Sequence, residues 1–583
     1  MKAKKKKENI RKENYLHLIL VLVVVIFINI VGSFYSTRFD LTAEKRYSLS
    51  DETKKILKNL DDIVYFKVYL EGDFPSGFKR LRNSFRELLD ELRAYNSNIE
   101  YEFINPSESA DPKERNNTYK LLMEKGLNPT TLRVDNEKGV SQQIIFPGCI
   151  LTYKSEKAPI ELLQNSNPGL SPEVALNNSI QNLEFLIASN LKKIAKPFKK
   201  KVGFLQGHGE LSINDARSFL LRIQEDYSVT DVNLNENITS LSTRLGNDSS
   251  GYKVKNKFDA LIVAQPEKPF SEKDKFILDQ YIMHGGKILW LVNPVFAKMD
   301  SIQHAESTVG INNDDNLGDM FFKYGMRLNN ELVQDVNCLP IPLTTGYVGD
   351  QPSVEFFPWP YFPLVKPASD HPIVKNLNLV KTEFPGSIDI LPKAGAKITP
   401  LLTTSSKTKT VISPALISLS ITRDKLDETK YKSGKKIIAA LLEGHVESVF
   451  KNRLPAIIEE ENIIDYKDKC DTAAMILVAD GNIIINQYGN GGKMPYPVGY
   501  DRFTRRTFGN GDFALNALNY LTDGPGLISL RSREVTIRSL DRAKVVKDKL
   551  YYQVINTVLP LIILLIFGLA HFIYRKRKYT KIG

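Results

Sequence analysis

The run Gly207-His208-Gly209-Glu210 sets an imidazole and a carboxylate two positions apart, directly after the apolar run Val202–Leu205. In a doubly wound α/β sheet, ligands bind at the carboxyl ends of the strands, which is where such a loop lies. Asp480 ends a second apolar run, Ala473–Ala479, and belongs to the same kind of edge. His208, Glu210 and Asp480 are therefore the candidate ligand-binding set, with donor types suited to holding a metal ion or passing a proton. The plainer reading of the loop is a tight turn allowed by its glycines, with His208 and Glu210 capping the next helix. No further ligand at metal-site spacing accompanies them, so the expectation is no metal, no cofactor and no catalytic residue.

Other chemistry is missing its motifs. The glycine-lysine pair Gly492-Lys493 is followed by Met494, and position 487 is Gln where a phosphate-binding loop needs Gly. Neither a G-x-S-x-G elbow nor an H-E-x-x-H zinc helix occurs. Cys149, Cys338 and Cys470 are far apart in sequence and form no C-x-x-C pair, so each reads as a packed or incidental thiol. His284, before Gly285-Gly286, reads as a solvated residue at a helix C-terminus. One further run stands out: Phe356-Phe357-Pro358-Trp359-Pro360-Tyr361-Phe362-Pro363. Its prolines argue against a helix or a central strand. Phe356, Phe357, Trp359, Tyr361 and Phe362 are thus either a partner-docking set or a loop packed on its own domain.

The elements that would position these residues follow from periodicity. Ser50, with Asp51 and Glu52 behind it, is placed to cap a helix whose apolar stripe is Ile56, Leu57 and Leu60. A strand over Ile63–Leu70 precedes an amphipathic helix, Lys79–Tyr95, with Leu81, Phe85, Leu88, Leu89 and Leu92 on one face. Strands are expected at Ile99–Ile104, Thr130–Val134 and Gln143–Tyr153. From Lys201 a second unit alternates strands (Val202–Leu205, Val229–Leu234, Phe258–Ala264, Lys287–Val292) with helices opened by Ser212 with Asp215 and by Ser271 with Asp274. That order predicts a parallel, doubly wound sheet. Ile437–Leu442 and Ala473–Ala479 are later strands, Thr403–Thr410 is a polar loop, and Gly511–Leu521 is a helix. The expected domains are 36–195, a small α/β domain, and 196–530, a larger α/β domain with insertions.

Both ends read as membrane segments. Leu16–Tyr35 and Val554–Tyr574 contain no acid, Lys or Arg and have the length needed to cross a hydrocarbon core of about 30 Å. Residues 1–14 carry seven bases against two acids, and residues 575–583 carry five bases. The positive-inside rule then puts both tails in the cytoplasm and everything between the spans outside it, with 531–553 as a charged stalk. These tails are +5 each, +10 of the chain's net +12. The basic balance is thus a topology signal; it points to membrane lipid and excludes nucleic acid as the expected partner.

Several strings recur in a known order. They are Arg38–Ser50 (RFDLTAEKRYSLS) after the first span, Phe204–Glu210 (FLQGHGE), Tyr281–Pro294 (YIMHGGKILWLVNP), Leu442–Arg453 (LEGHVESVFKNR) and Asp512–Asp523 (DFALNALNYLTD). With a C-terminal span after a basic stalk, the chain resembles the auxiliary, so-called substrate-binding component of the gliding-motility-associated ABC transporter of Bacteroidetes, the GldG type. The resemblance implies a two-span protein of the cytoplasmic membrane with a large periplasmic region, working beside a separate ABC ATPase and a separate multi-span permease. It implies a flavodoxin-like or glutamine-amidotransferase-like larger domain, shared with an intraflagellar-transport protein in which that fold is an interaction module. An amidotransferase needs a nucleophilic Cys on a tight strand-to-helix turn, and none of the three cysteines has that setting. The expectation is a non-enzymatic, membrane-tethered transporter component. The alternatives are a periplasmic protein capturing a glycan or lipid at the 207–210 edge and, behind it, a periplasmic hydrolase using His208, Glu210 and Asp480.

Overall fold

The computed structural model describes residues 15–16, 18–27, 48–136, 139–163, 172–195, 199–247, 251–393, 395–422, 426–452, 465–489, 492, 494–524, 526–528 and 547–580. Two units separate, Met1–Arg533 and Glu534–Gly583.

The first unit begins with a four-stranded sheet in the order Ile99–Phe103, Val64–Val68, Gly148–Tyr153, Glu156–Glu161. Ser50 caps the helix Asp51–Lys58, its hydroxyl accepting from the Thr53 N–H at 3.1 Å. The amphipathic helix spans Ser76–Tyr95, starting earlier than periodicity alone indicated because Pro75 precedes its first turn. Phe78, Leu81, Phe85, Leu89 and Leu92 are buried in one core with Val64, Phe66 and Val68. The single strand expected over Gln143–Tyr153 is two. Gly139–Ile145 pairs with Thr130–Asn136 in its own ribbon, and Gly148–Tyr153 joins the main sheet. The break falls at Pro147, which has no N–H to continue a ladder.

The large sheet has five parallel strands in the order Tyr227–Asn233, Lys200–Gln206, Ala260–Ala264, Lys287–Leu291, Lys469–Val478. They are Val/Ile/Leu-rich because both faces are covered, as parallel sheets require. On one face Phe204, Ile262, Leu289 and Ile476 pack with Phe219 and Ile223 of Arg217–Gln224 and Phe513, Leu518 and Leu521 of Asn510–Asp523. Leu261, Val263, Ile288, Trp290 and Leu477 pack on the other with Phe276 and Ile282 of Glu272–Met283 and Phe321 of Gly318–Tyr324. The alternation along each strand sends neighbouring side chains to opposite faces. Ser271 caps Glu272–Met283 by accepting from the Asp274 N–H at 3.1 Å, and Gly285 follows its end with φ +84°. Ser212 and Asp215 do bond each other, but they close a turn, and the helix itself begins at Arg217.

Beyond Lys469–Val478 the sheet continues antiparallel through Ile437–Glu447 and Ala396–Thr403, then through Gln351–Pro367 and Cys338–Val348. This corrects the reading of the proline-aromatic run: it is strand, not loop. Its residues up to Pro363 ladder with Cys338–Val348 in a hairpin, and the Tyr361 and Pro363 carbonyls also accept from the Phe384 and Thr382 N–H groups at 2.9 and 3.1 Å. Pro340 faces Pro358 and Pro342 faces Phe356, two positions on. Opposed positions two apart fall in the same class of antiparallel pair, the class without mutual hydrogen bonds, so the missing proline N–H groups cost the ladder nothing.

In the second unit, Lys549–Thr580 is one helix containing the expected span Val554–Tyr574. Lys549–Arg577 is long and apolar enough to cross a membrane, and none of its apolar window is buried. Of the expected first span Leu16–Tyr35, Leu18–Phe27 is helical with its side chains exposed; residues 17 and 28–35, the tail 1–14 and the stalk residues 531–546 lie outside the described residues.

Candidate functional site

Gly207 and Gly209 adopt φ of +119° and +74°, a region that favours glycine, so the loop after Lys200–Gln206 turns back sharply. The His208 carbonyl accepts from the Glu267 and Lys268 N–H groups at 3.0 and 2.8 Å, which stitches this turn to the one after Ala260–Ala264. The His208 side chain then points inward and stacks on Phe270, ring centroids 3.9 Å apart. Its Nε2 donates to Asp274 Oδ2 at 3.1 Å, while Nδ1 stands 3.4 Å from Glu210 Oε1. Glu210 Oε2 accepts the His208 backbone N–H at 2.6 Å, and Asp274 Oδ1 accepts the Glu236 N–H at 2.8 Å.

Burial pushes the His208 imidazolium down, but the hydrogen bonds and charges of Asp274 and Glu210 outweigh it and raise the group to about 9. Burial likewise pushes Asp274 up, and its bonds to His208, the Glu236 N–H and Ser271 together with the His208 charge more than reverse this, leaving it lowered. The cluster is a buried imidazolium between two carboxylates. It latches a strand-end turn to the N-terminus of Glu272–Met283.

Asp480 lies elsewhere on the same edge. Lys200–Gln206 and Lys469–Val478 are separated by two strands, so three strand spacings, about 14 Å, part the two candidates. Among the described residues no hydrogen bond joins them, and His208 takes Asp274 as its partner instead. Sixty-six residues of chain separate His208 from Asp274, so no local spacing signalled the pair. Asp480 is fully buried and accepts from the Asn482 N–H at 2.8 Å and the Glu383 N–H at 3.0 Å. Burial pushes its carboxyl up to about 7. No group of three or more His, Cys, Asp or Glu among the described residues is gathered closely enough to hold a metal ion.

Through Glu383, Asp480 supports a cavity of about 270 Å³ that sequence reasoning did not find. Leu339–Thr344 of the outer hairpin strand forms one wall, with Phe362 beside it; Lys381, Glu383, Gln487 and Asp501 supply polar groups. The aromatic set therefore divides. Trp359, Tyr361 and Phe362 are buried in a core with Leu339, Ile341 and Phe384. Phe357 is half-buried, and Phe356 is 53% exposed near the hairpin tip. His284 is half-buried rather than solvated, donating from Nε2 to the Asp465 carbonyl at 3.0 Å. Cys149 is buried, and burial alone pushes its thiol far above the ordinary range; burial also raises Cys338, to about 12. Neither is a thiolate at neutral pH.

Residues 199–517, more than half of the chain and all of the parallel sheet, match a family of auxiliary proteins described as an ABC-type uncharacterized transport system. The chain belongs to this family. A second family model, a domain of unknown function, matches residues 43–152. A protein of Borreliella burgdorferi described as uncharacterized is 22% identical over 579 residues, covering 97% of this chain and 98% of its own length. Among solved structures, the mmIFT52 N-terminal domain aligns at 13% identity with a TM-score of 0.30, over 56% of this chain and 98% of its own. Family membership makes this an auxiliary protein of ABC transport, and the exposed apolar helix associates it with a membrane.

Proposed function

We propose that the protein is a non-enzymatic, two-span component of the cytoplasmic membrane that holds a large periplasmic α/β region beside a separate ABC ATPase and a separate multi-span permease. The carrying observation is the family match over 199–517 in a chain whose Lys549–Thr580 helix is long, apolar and unburied. A helix of that kind has bilayer lipid or other membrane helices as its natural surroundings. The basic tails at 1–14 and 575–583 support the orientation, both ends cytoplasmic. The flavodoxin-like reading of the larger domain draws on five parallel strands with helices on both faces. The gliding-motility role is the narrowest part of the proposal and draws only on the resemblance of the short strings.

The physical content is mechanical. A domain fixed at both ends cannot diffuse away with a cargo, so it serves by transmitting or scaffolding a conformational change across the bilayer. The test is purification of the tagged full chain in mild detergent. Co-purification of an ABC ATPase and a permease in fixed ratio is expected; recovery of neither overturns the proposal. Cysteine labelling at residues 3 and 582 from the cytoplasmic side only is the expected topology.

A further inference from the structure

The cavity beside Asp480 has the features of a built site. Its floor is fixed by backbone: Asn510, almost fully buried, accepts the Lys381 N–H at 3.0 Å and donates to the Lys381 carbonyl at 2.9 Å. Asp480 holds the Glu383 N–H. The Lys381 side chain is only 5% exposed, yet its ammonium has one hydrogen-bonding partner among the described residues, Glu383 Oε1 at 3.3 Å, with the Asp480 carboxyl acting on it only through its charge. An ammonium has three protons to donate, so this one is under-committed for its depth. Asp501 is buried; one of its oxygens accepts the Thr504 N–H and hydroxyl at 2.8 and 2.6 Å, and no cation pairs with it among the described residues. Gln487 spends its carbonyl on the Arg502 N–H at 3.0 Å.

The polar end thus holds two carboxylates against one ammonium, a net −1, facing a wall made by Ile341, Leu343 and Phe362. The excess rests on Asp501, which is buried with no cation paired to it among the described residues, and a buried carboxylate wants a compensating cation. At about 30 Å³ per water, the space holds roughly nine waters, or an organic body of about ten heavy atoms. We infer that this cavity binds a small apolar amine, its ammonium between Glu383 and Asp501 and its hydrocarbon against Ile341, Leu343 and Phe362. The site is distinct from the 207–210 edge, and it stands whether or not the transporter assembly does.

Three probes of equal body and different head decide it: 2-phenylethylamine, 2-phenylethanol and phenylacetate, titrated against the full chain in detergent by calorimetry and thermal unfolding. The amine is expected to bind saturably, the alcohol more weakly and the acid not at all. Asp501→Asn should weaken the amine about tenfold, the loss of one charged hydrogen bond. Lys381→Met, which removes the competing cation, should tighten it severalfold. Leu343→Trp fills the cavity without touching the charges and should abolish binding while leaving unfolding cooperative. Preferred binding of phenylacetate, lost in Lys381→Met, overturns the inference. So does failure of all three probes to bind, and so does amine binding that survives both Asp501→Asn and Leu343→Trp.

Discussion

The two charged clusters at the carboxyl edge of the large sheet use the same kinds of residue to opposite ends. At one, His208 sits between Asp274 and Glu210 with side chains 11%, 7% and 0% exposed, stacked on Phe270. At the other, Lys381 pairs with a Glu383 side chain that is 28% exposed and borders a cavity of about 270 Å³. The first cluster is buried, its His208 Nδ1 and Glu210 Oε1 meeting only as an ion pair at 3.4 Å, so its energy goes into holding a turn against a helix. The second keeps donors and acceptors in reserve where a molecule can reach them. Residue type does not separate a structural cluster from a binding one, and neither does unspent hydrogen-bonding capacity, since His208 Nδ1 and Glu210 Oε1 are buried without a hydrogen-bond partner; the space beside the cluster does.

Breaking each cluster should therefore cost different amounts. His208→Ala leaves two carboxylates buried and facing each other, and removal of one partner from a buried ion set costs about 3–5 kcal/mol. Lys381→Met leaves Glu383 within reach of water in the cavity, and the loss should be about 1 kcal/mol or less. Denaturant unfolding followed by fluorescence of Trp290 and Trp359 measures both. Equal losses would show that the 207–210 cluster is not the closed one.

The pH dependence sharpens the same contrast. His208 is raised from its ordinary 6.5 to about 9, so the folded state holds a proton that the unfolded chain releases earlier. Its contribution is complete below about pH 6.5 and is lost as pH rises through 9, a loss of roughly 3 kcal/mol. Asp274 is lowered, so its contribution is present above its ordinary 3.8 and fades as pH falls through its lower folded value. The latch is firmest between these limits. Thermal unfolding should decline between pH 6.5 and 9.5 in the parent protein, and His208→Gln should flatten that decline.

How much of this was legible depends on how local each signal is. The apolar runs of the parallel strands, the Ser271 cap with Asp274, and the glycines after His284 are written within a few residues, and the structure has them. The turn at 207–210 was legible as a turn, because only its own glycines are needed to make it. Its partner Asp274 was not, since topology alone brings a distant helix to the strand end. The proline-aromatic hairpin misled because a proline's cost to a strand depends on which side of the ladder its missing N–H would face. That is a property of register with Cys338–Val348, not of the run itself. Lys381, Glu383, Gln487 and Asp501 lie in segments up to 120 residues apart, and nothing in any one of them announces a cavity.

The smallest expected effect is also the most discriminating, because it comes from the residue that sequence reasoning grouped with His208. Asp480 offers two acceptors, one to Asn482 and one to Glu383. Asp480→Asn keeps only one and turns an amide donor toward the other N–H. The residue carrying Glu383 is then held less firmly, and amine affinity in the cavity should fall about fivefold, the equivalent of one net hydrogen bond near 1 kcal/mol. Its pH signature is separable from the latch. Asp480 is raised from 3.8 to about 7, so in the parent protein it makes stability decline as pH rises between those values. The substitution should remove that lower decline and leave the one between about 7.5 and 9.5 intact. If Asp480→Asn instead flattened the upper decline, the two clusters would be a single coupled site across about 14 Å of sheet, and the division between closed latch and open cavity would fall.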